Sequence, residues 1–179
     1  MRIAVITGSP HRNGTSALLA DQFILGAQDA GHDIFRFDAA FERVAPCTAC
    51  NHCGPGIRKC VFNDSMDKLY AELLEANAVA FVTPLYYFGM SAQLKAVIDR
   101  FYANDSKLKG EKRAFLLATA YDTGEEATEA LASHYKAIVR YLGWADDGVL
   151  LATGCGTREA IERTEFPAMA YRMGRNILP

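Results

Sequence analysis

The chain has no run of about twenty apolar residues, so nothing in it is built to span a bilayer. The apolar stretch IAVI, residues 3–6, is too short for a signal-peptide core, and no cleavage-site pattern follows it. A cytoplasmic location is therefore the default expectation. Charge of one sign is equally scarce. With a formal net charge of −2, the sequence shows no basic stripe to meet nucleic-acid phosphates. The same near-balance argues against a dedicated electron carrier that steers its partner by a strong single-sign field. Repeats, low-complexity tracts and linkers are also missing, so one domain over residues 1–179 is expected, long enough to bury a real core.

What the chain does have is an alternation of short, β-branched apolar runs with helical periodicity. RIAVIT at residues 2–7 reads as a buried strand, and residues 15–30 as a helix with Leu18, Leu19, Phe23 and Ile24 on one face. A second strand is expected over 32–38. Asp64 or Ser65 then caps a helix whose Met66, Leu69, Tyr70, Leu73 and Leu74 fall at helical spacing. AVAFVT at 78–83 is a third strand, followed by a helix carrying Leu94, Val97, Ile98 and Phe101. RAFLLAT at 113–119 is a fourth strand, with a helix over 125–142, a fifth strand over 147–153 and a last helix over 157–176, disturbed near Pro167. Strands alternating with helices pair in parallel through right-handed crossovers, giving an α/β doubly wound sheet with helices on both faces. Ligands of such a sheet bind beyond the carboxyl ends of the strands, which directs attention to the loops after strands one, three and four.

The first of these loops is TGSPHRNGTS, residues 7–16. Its run into a helix start offers unpaired backbone N–H groups to a phosphate. Ser9, Asn13, Thr15 and Ser16 add neutral donors, Arg12 adds charge, and Gly8 and Gly14 let the backbone approach closely. Two familiar phosphate loops are excluded. The nucleoside-triphosphate loop needs a lysine where Thr15 stands, and the dinucleotide fingerprint needs a glycine where Pro10 stands. A cradle for a single terminal phosphate is what is left; a plain capped turn is the blander alternative, but a cap needs one hydroxyl and not a run of them.

This stretch resembles the GSPRxxGNT loop of flavodoxin-like NAD(P)H-dependent FMN reductases, a family that includes the iron–sulfur flavoproteins. The resemblance implies FMN as cofactor, with its phosphate on Ser9, His11, Arg12, Asn13, Gly14, Thr15 and Ser16. Position 11 is histidine where many members carry the first basic residue, so Arg12 takes that part. It also implies a flavodoxin-like sandwich with a five-stranded parallel sheet in the order 2-1-3-4-5.

The second loop, TPLYYFGMSAQLKAVIDR at 83–100, places aromatic rings between Pro84 and Gly89, where a flat heterocycle would sit. Its T-P-x-Y and L-K-x-x-x-D-R patterns resemble the same family, in which this loop contacts the isoalloxazine ring and the next helix helps form the dimer. Pro84, Leu85, Tyr86, Tyr87, Phe88 and Gly89 are thus ring-contact candidates, and packing of these rings on a neighbouring subunit is the alternative. Lys95, Asp99 and Arg100 read as surface ion pairs along the helix. The third loop supplies Thr119, Ala120 and Tyr121, with Tyr121 placed to stack on or shield the ring; alternatively, Asp122 and Thr123 only cap the following helix. The resemblance covers residues 1 to about 123.

Four of the five cysteines stand in PCTACNHCGPGIRKC, as Cys47, Cys50, Cys53 and Cys60. In a reducing compartment such a cluster reads as metal or redox chemistry before a disulfide frame. The spacing resembles that of the iron–sulfur flavoproteins and implies a [4Fe-4S] cluster. Zinc would be satisfied by the same four thiolates, and free thiols packed as small apolar groups are a third reading. His52 reads as a bystander, and Cys155, in TGCGT, as a small core or loop residue.

The expected function is that of an FMN-dependent oxidoreductase taking hydride from NAD(P)H and reducing a small acceptor: a quinone, a nitro compound, a flavin or a metal centre. An electron carrier working through FMN and a cluster is the alternative. No catalytic side chain is required. A homodimer or homotetramer is implied, with no nucleic-acid or membrane partner.

Overall fold

The computed structural model describes residues 1–124 and 126–178. Six strands and seven α-helices are found among them, in the order β1 (Arg2–Thr7), α1 (Thr15–Asp29), β2 (Asp33–Asp38), α2 (Met66–Glu75), β3 (Ala78–Tyr86), β4 (Gly89–Met90), α3 (Ala92–Asp99), α4 (Asp105–Leu108), β5 (Arg113–Thr119), α5 (Glu126–Leu142), β6 (Ala145–Ala152), α6 (Arg158–Glu162) and α7 (Phe166–Arg175). The five long strands pair in parallel as β2-β1-β3-β5-β6. That is the expected five-strand order, with β5 and β6 as the fourth and fifth strands. No helix among the described residues is long and apolar enough to cross a membrane.

Both faces of the sheet are covered, which explains why the central strands are apolar throughout rather than alternating. Ala4 and Ile6 of β1 point into one core with Met66, Leu69 and Leu73 of α2, Leu94 and Val97 of α3, and Leu131 and Tyr135 of α5. Ile3 and Val5 point the other way, to Leu18, Leu19 and Phe23 of α1, Ile161 of α6 and Ala170 of α7. On that second face α1 and α7 cross with their backbones in contact. A Cβ at Gly26 would collide with the Tyr171 carbonyl, and one at Gly174 with the Phe23 carbonyl. Backbone cannot yield as a flexible side chain does, so Gly174→Ala is expected to cost about 1–3 kcal/mol, read as a lowered urea midpoint at unchanged slope.

The structure departs from the sequence expectation at several places. The sixth strand, β4, is a two-residue antiparallel return on β3, pairing Leu85 with Met90 and Tyr86 with Gly89. β3 itself runs three residues further, to Tyr86; β1 pairs only as far as Val82, so Pro84 lies where one side of the strand is free of the ladder. The last helix is two helices, because Pro167 opens α7 in its first turn instead of interrupting one long helix. β6 begins at Ala145, two residues early, and absorbs the extra length in an irregularity beside Ala114 and Phe115. Glu125, the expected start of the fifth helix, lies outside the described residues.

Candidate functional site

At the carboxyl end of β1 the chain is pinned before it turns outward. The Gly8 N–H donates to the Val82 carbonyl at 2.8 Å, and the Gly8 carbonyl accepts from Ser91 Oγ at 2.8 Å. A Cβ on Gly8 would collide with Ser91 Oγ and Leu94 Cβ, so glycine is required by close approach. Ser9 is buried, and its Oγ accepts the His11 N–H at 3.2 Å. Helix α1 then opens at Thr15 with Gly14 as its N-cap, no side-chain cap and no acidic residue in its first turn. The unpaired N–H groups and positive dipole end of a fifteen-residue helix are left for a ligand.

Above this helix start lies a cavity of about 630 Å³, a size suited to a cofactor. Its wall is made by Ser9 to Thr15, Pro84 to Tyr86, Thr119 to Tyr121, and Cys155, Gly156 and Arg158. The structure thus brings together three loops that lie 69 and 33 positions apart in the sequence. Among the described residues, the charged and titratable groups of this lining are His11, Arg12, Tyr86, Tyr121, Cys155 and Arg158, with no carboxylate. Arg12 lies with its guanidinium carbon 3.7 Å from the centre of the Phe41 ring, a cation–π contact at the edge of the cradle. Ser16 is not in the wall: it is buried, and its hydroxyl is hydrogen-bonded to Thr119 Oγ1 at 2.8 Å. Thr15 Oγ1 donates to the same oxygen at 3.0 Å, so α1 is tied across to the end of β5.

The aromatic turn divides. Tyr86 lines the cavity, whereas Tyr87 and Phe88 form the tip of the β3–β4 hairpin with φ of 46° and 62°. Positive φ at both central residues suits a tight hairpin but is costly for aromatic side chains. Tyr87 is 99 % exposed. Gly89 pairs with Tyr86 and stands outside the wall. Tyr121 is at the rim, its ring lying over Gly156, where a Cβ would collide with it. Asp122 Oδ1 accepts the Gly124 N–H at 3.1 Å.

Sequence reasoning missed Cys155, Gly156 and Arg158. The available signal was the glycine-rich TGCGT at the carboxyl end of the last strand, the same end of the sheet as the other loops. The loop is zipped to its neighbour: the Cys155 N–H donates to the Ala120 carbonyl and the Gly154 N–H to the Asp122 carbonyl, both at 2.8 Å. Cys155 is buried, as expected, and burial pushes its thiol up.

The cysteine segment lies between β2 and α2. Cys47 and Cys50 are exposed, Cys53 is buried and Cys60 is half-buried. Left-handed backbone at Ala49, Asn51, Gly54 and Gly56 coils the chain, and the Ile57 and Arg58 N–H groups donate to the Cys53 carbonyl. Burial pushes the Cys53 thiol up, and Cys60, Cys50 and Cys47 add to this. Among the described residues no three Cys, His, Asp or Glu side chains are gathered as a metal shell.

The two ends of this segment are clasped by one buried ion pair. Arg100 Nη1 donates to Asp64 Oδ2 at 2.9 Å and to the Ala45 carbonyl at 2.8 Å, and Asp64 also accepts the N–H groups of Ala45 and Met66. Both side chains are almost wholly buried, 1 % and 3 % exposed. Arg100 is therefore not the surface residue the sequence suggested, although Lys95 and Asp99 do pair on the surface. The chain leaves α3 in a 3-10 turn at Arg100, which aims that side chain inward. Asp64 bonds the Met66 N–H from just ahead of α2, whose N-cap residue is Ser65.

An uncapped helix start, a lining with no carboxylate among its described residues and an aromatic mouth fit a flat heterocycle that carries a phosphate. Residues 1–150 match the family described as NADPH-dependent FMN reductase. The chain belongs to that family. Among related proteins, this reductase is 27% identical over 157 residues to an iron–sulfur flavoprotein of Archaeoglobus fulgidus, covering 86% of this chain and 69% of that one. It spans about half the length of several other proteins of that name. It is 26% identical over 162 residues to YwqN of Bacillus subtilis, provisionally named an NAD(P)H-dependent FMN-containing oxidoreductase, covering 86% of each chain. In fold the reductase superimposes on an NAD(P)H:quinone oxidoreductase from Methanothermobacter marburgensis with a TM-score of 0.75 at 20% identity, over 98% of this chain and 95% of that one. The flavodoxin-like architecture of the reductase is thereby established.

Proposed function

We propose that the protein is an FMN-dependent oxidoreductase, a single FMN-binding domain that takes hydride from NAD(P)H and reduces a small acceptor such as a quinone, a nitro compound, a flavin or a metal centre. The observation that carries this reading is the cavity at the start of α1, where an uncapped helix end meets a lining with no carboxylate among its described residues. Bound there, FMN supplies a ring that accepts hydride and releases electrons in pairs or singly. The chain's own part is holding it. Ser9, Asn13, Thr15 and the first N–H groups of α1 receive the phosphate, with Arg12 and His11 beside them. Pro84 to Tyr86 and Thr119 to Tyr121 border the ring, and Thr119 fixes its border to the phosphate cradle through Thr15 and Ser16. The exposed Tyr87 and Phe88 support a homodimer or homotetramer in which a second copy covers them. A cytoplasmic location belongs to the same proposal.

A second reading, an electron carrier using FMN and a [4Fe-4S] cluster, is favoured by the four cysteines in one segment together with the relatives named iron–sulfur flavoproteins. Among the described residues the thiols are not gathered as a metal shell.

One preparation tests both. Protein purified without oxygen is expected to show flavin absorption bands and to oxidise NADPH or NADH when a quinone is supplied. Failure of the reconstituted protein to bind FMN would sink the proposal. FMN with stoichiometric iron and sulfide, but no turnover with any acceptor, would favour the carrier. Zinc in place of iron and sulfide would make the cysteine segment structural.

A further inference from the structure

Arg158 contributes charge to the cavity from a part of the chain beyond the family match, which ends at residue 150. It follows β6, whereas the phosphate cradle follows β1. In the sheet order β1-β3-β5-β6 these strands are three steps apart, about 14 Å at the usual inter-strand spacing. Arg12 is drawn still further away, onto Phe41 in the segment that follows β2. Arg158 thus reaches the cavity from a strand end well removed from the one that carries the cradle. The cavity therefore carries two separate cationic positions, and FMN has one phosphate.

The state of the guanidinium points the same way. Its Nε donates to Glu162 Oε1 at 2.6 Å, one turn along α6, and among the described residues it meets no other hydrogen-bond acceptor. The two Nη groups are left for a ligand, and a guanidinium presents them as a planar fork matched to phosphate or carboxylate. The side chain is half-buried in the wall, beside Gly156 and the Tyr121 ring.

We propose that Arg158 is a specificity-determining residue that recognises an anionic group on the second substrate, at the end of the cavity away from the phosphate cradle. The proposal rests on the reading of this cavity as an FMN site. The shared chemistry is a phosphate or other acidic group, carried either by the pyridine nucleotide or by the acceptor. As a contact that holds the substrate equally in its ground and transition states, its loss raises KM and leaves kcat in place.

The test compares FMN-loaded wild type, Arg158→Gln and Arg158→Lys. NADPH and NADH serve as donors, a neutral and a sulfonated quinone as acceptors, and FMN affinity is measured on each apoprotein by fluorescence. Loss of a charge-assisted contact is expected to raise one KM about 10- to 100-fold in Arg158→Gln, with kcat and the FMN Kd within twofold and much of the loss restored by lysine. A rise for both nucleotides assigns the pyrophosphate, a rise for NADPH alone its extra phosphate, and a rise for the sulfonated quinone alone the acceptor. Unchanged KM values in an active variant overturn the proposal. So does a weakened FMN Kd with unchanged KM values, which would place Arg158 against the flavin. Wild-type protein that takes up no FMN overturns the cavity's assignment, and this proposal with it.

Discussion

Arg100→Met is expected to lower the unfolding free energy by about 3–5 kcal/mol, because it leaves the Asp64 carboxylate and the Ala45 carbonyl buried without their partner. Pairing the change with Asp64→Leu is expected to recover much of the loss, since two apolar groups bury no uncompensated charge. The effect has a pH signature. Burial raises the Asp64 pKa, but Arg100 and the N–H groups of Ala45 and Met66 outweigh it, so the carboxyl ends below its ordinary value. A depressed carboxyl stabilises the fold above its unfolded pKa, near 3.9, and that stabilisation disappears as pH falls through the lower folded value. The gap between wild type and Arg100→Met should therefore be widest near neutrality and shrink below about pH 4, in urea titrations run across pH. The clasp also predicts where the damage appears. The ends of the cysteine segment are held by this pair, so the buried Cys53 should be labelled by a thiol reagent faster in Arg100→Met, at denaturant concentrations where both proteins are folded. Equal labelling rates would show that the loop is held by something else, such as the packing of Gly56 against Ser106.

Arg100 also illustrates what a sequence conceals. Its neighbours Lys95 and Asp99 sit at helical spacing and pair on the surface, which local periodicity reveals. Arg100 meets a carboxylate 36 positions away, and nothing local announces such a partner. The same distinction runs through the cavity. The loop at the start of α1 was readable as one wall of the cavity because its residues are consecutive and lie between a strand and a helix, so chain connectivity alone gathers them. Arg158 was not, because its place depends on β6 lying beside β5 and on the loop being zipped to Ala120 and Asp122. The aromatic turn falls between the two cases. Its position after β3 follows from alternation, yet whether a ring faces the cavity or solvent depends on where the hairpin turns, and the two-residue tip at Tyr87 and Phe88 sends both outward. Parallel pairing was recoverable from the alternation of strands and helices, whereas the strand order came only with the family resemblance. Strand ends were not recoverable, since Leu85 and Tyr86 are paired only by the hairpin's return on β4, and Ala145 by Arg113 of β5.

Thr15→Glu is expected to weaken FMN binding by about a hundred- to a thousandfold while leaving the fold intact. Thr15 is the first residue of α1 and part of the cavity wall, so the new carboxylate stands beside the place proposed for the phosphate. Two unit charges about 4 Å apart repel by about 4 kcal/mol at the effective dielectric of a protein surface, and about 1.4 kcal/mol is a factor of ten. Stability moves little, because an acidic residue in the first turn interacts favourably with the helix dipole, by about 0.3–1 kcal/mol. This offsets the lost hydrogen bond to Thr119. Folding and binding are thus separated in one variant, which a bulky or proline substitution in the same loop would not achieve. Thr15→Val is the companion, removing the hydroxyl without adding charge, and should cost no more than about tenfold. Fluorescence titration of FMN into each apoprotein, with urea melts alongside, reads both quantities. If Thr15→Glu bound FMN within tenfold of wild type, the phosphate would not lie at the start of α1, and the cavity's cationic lining would need another ligand to explain it.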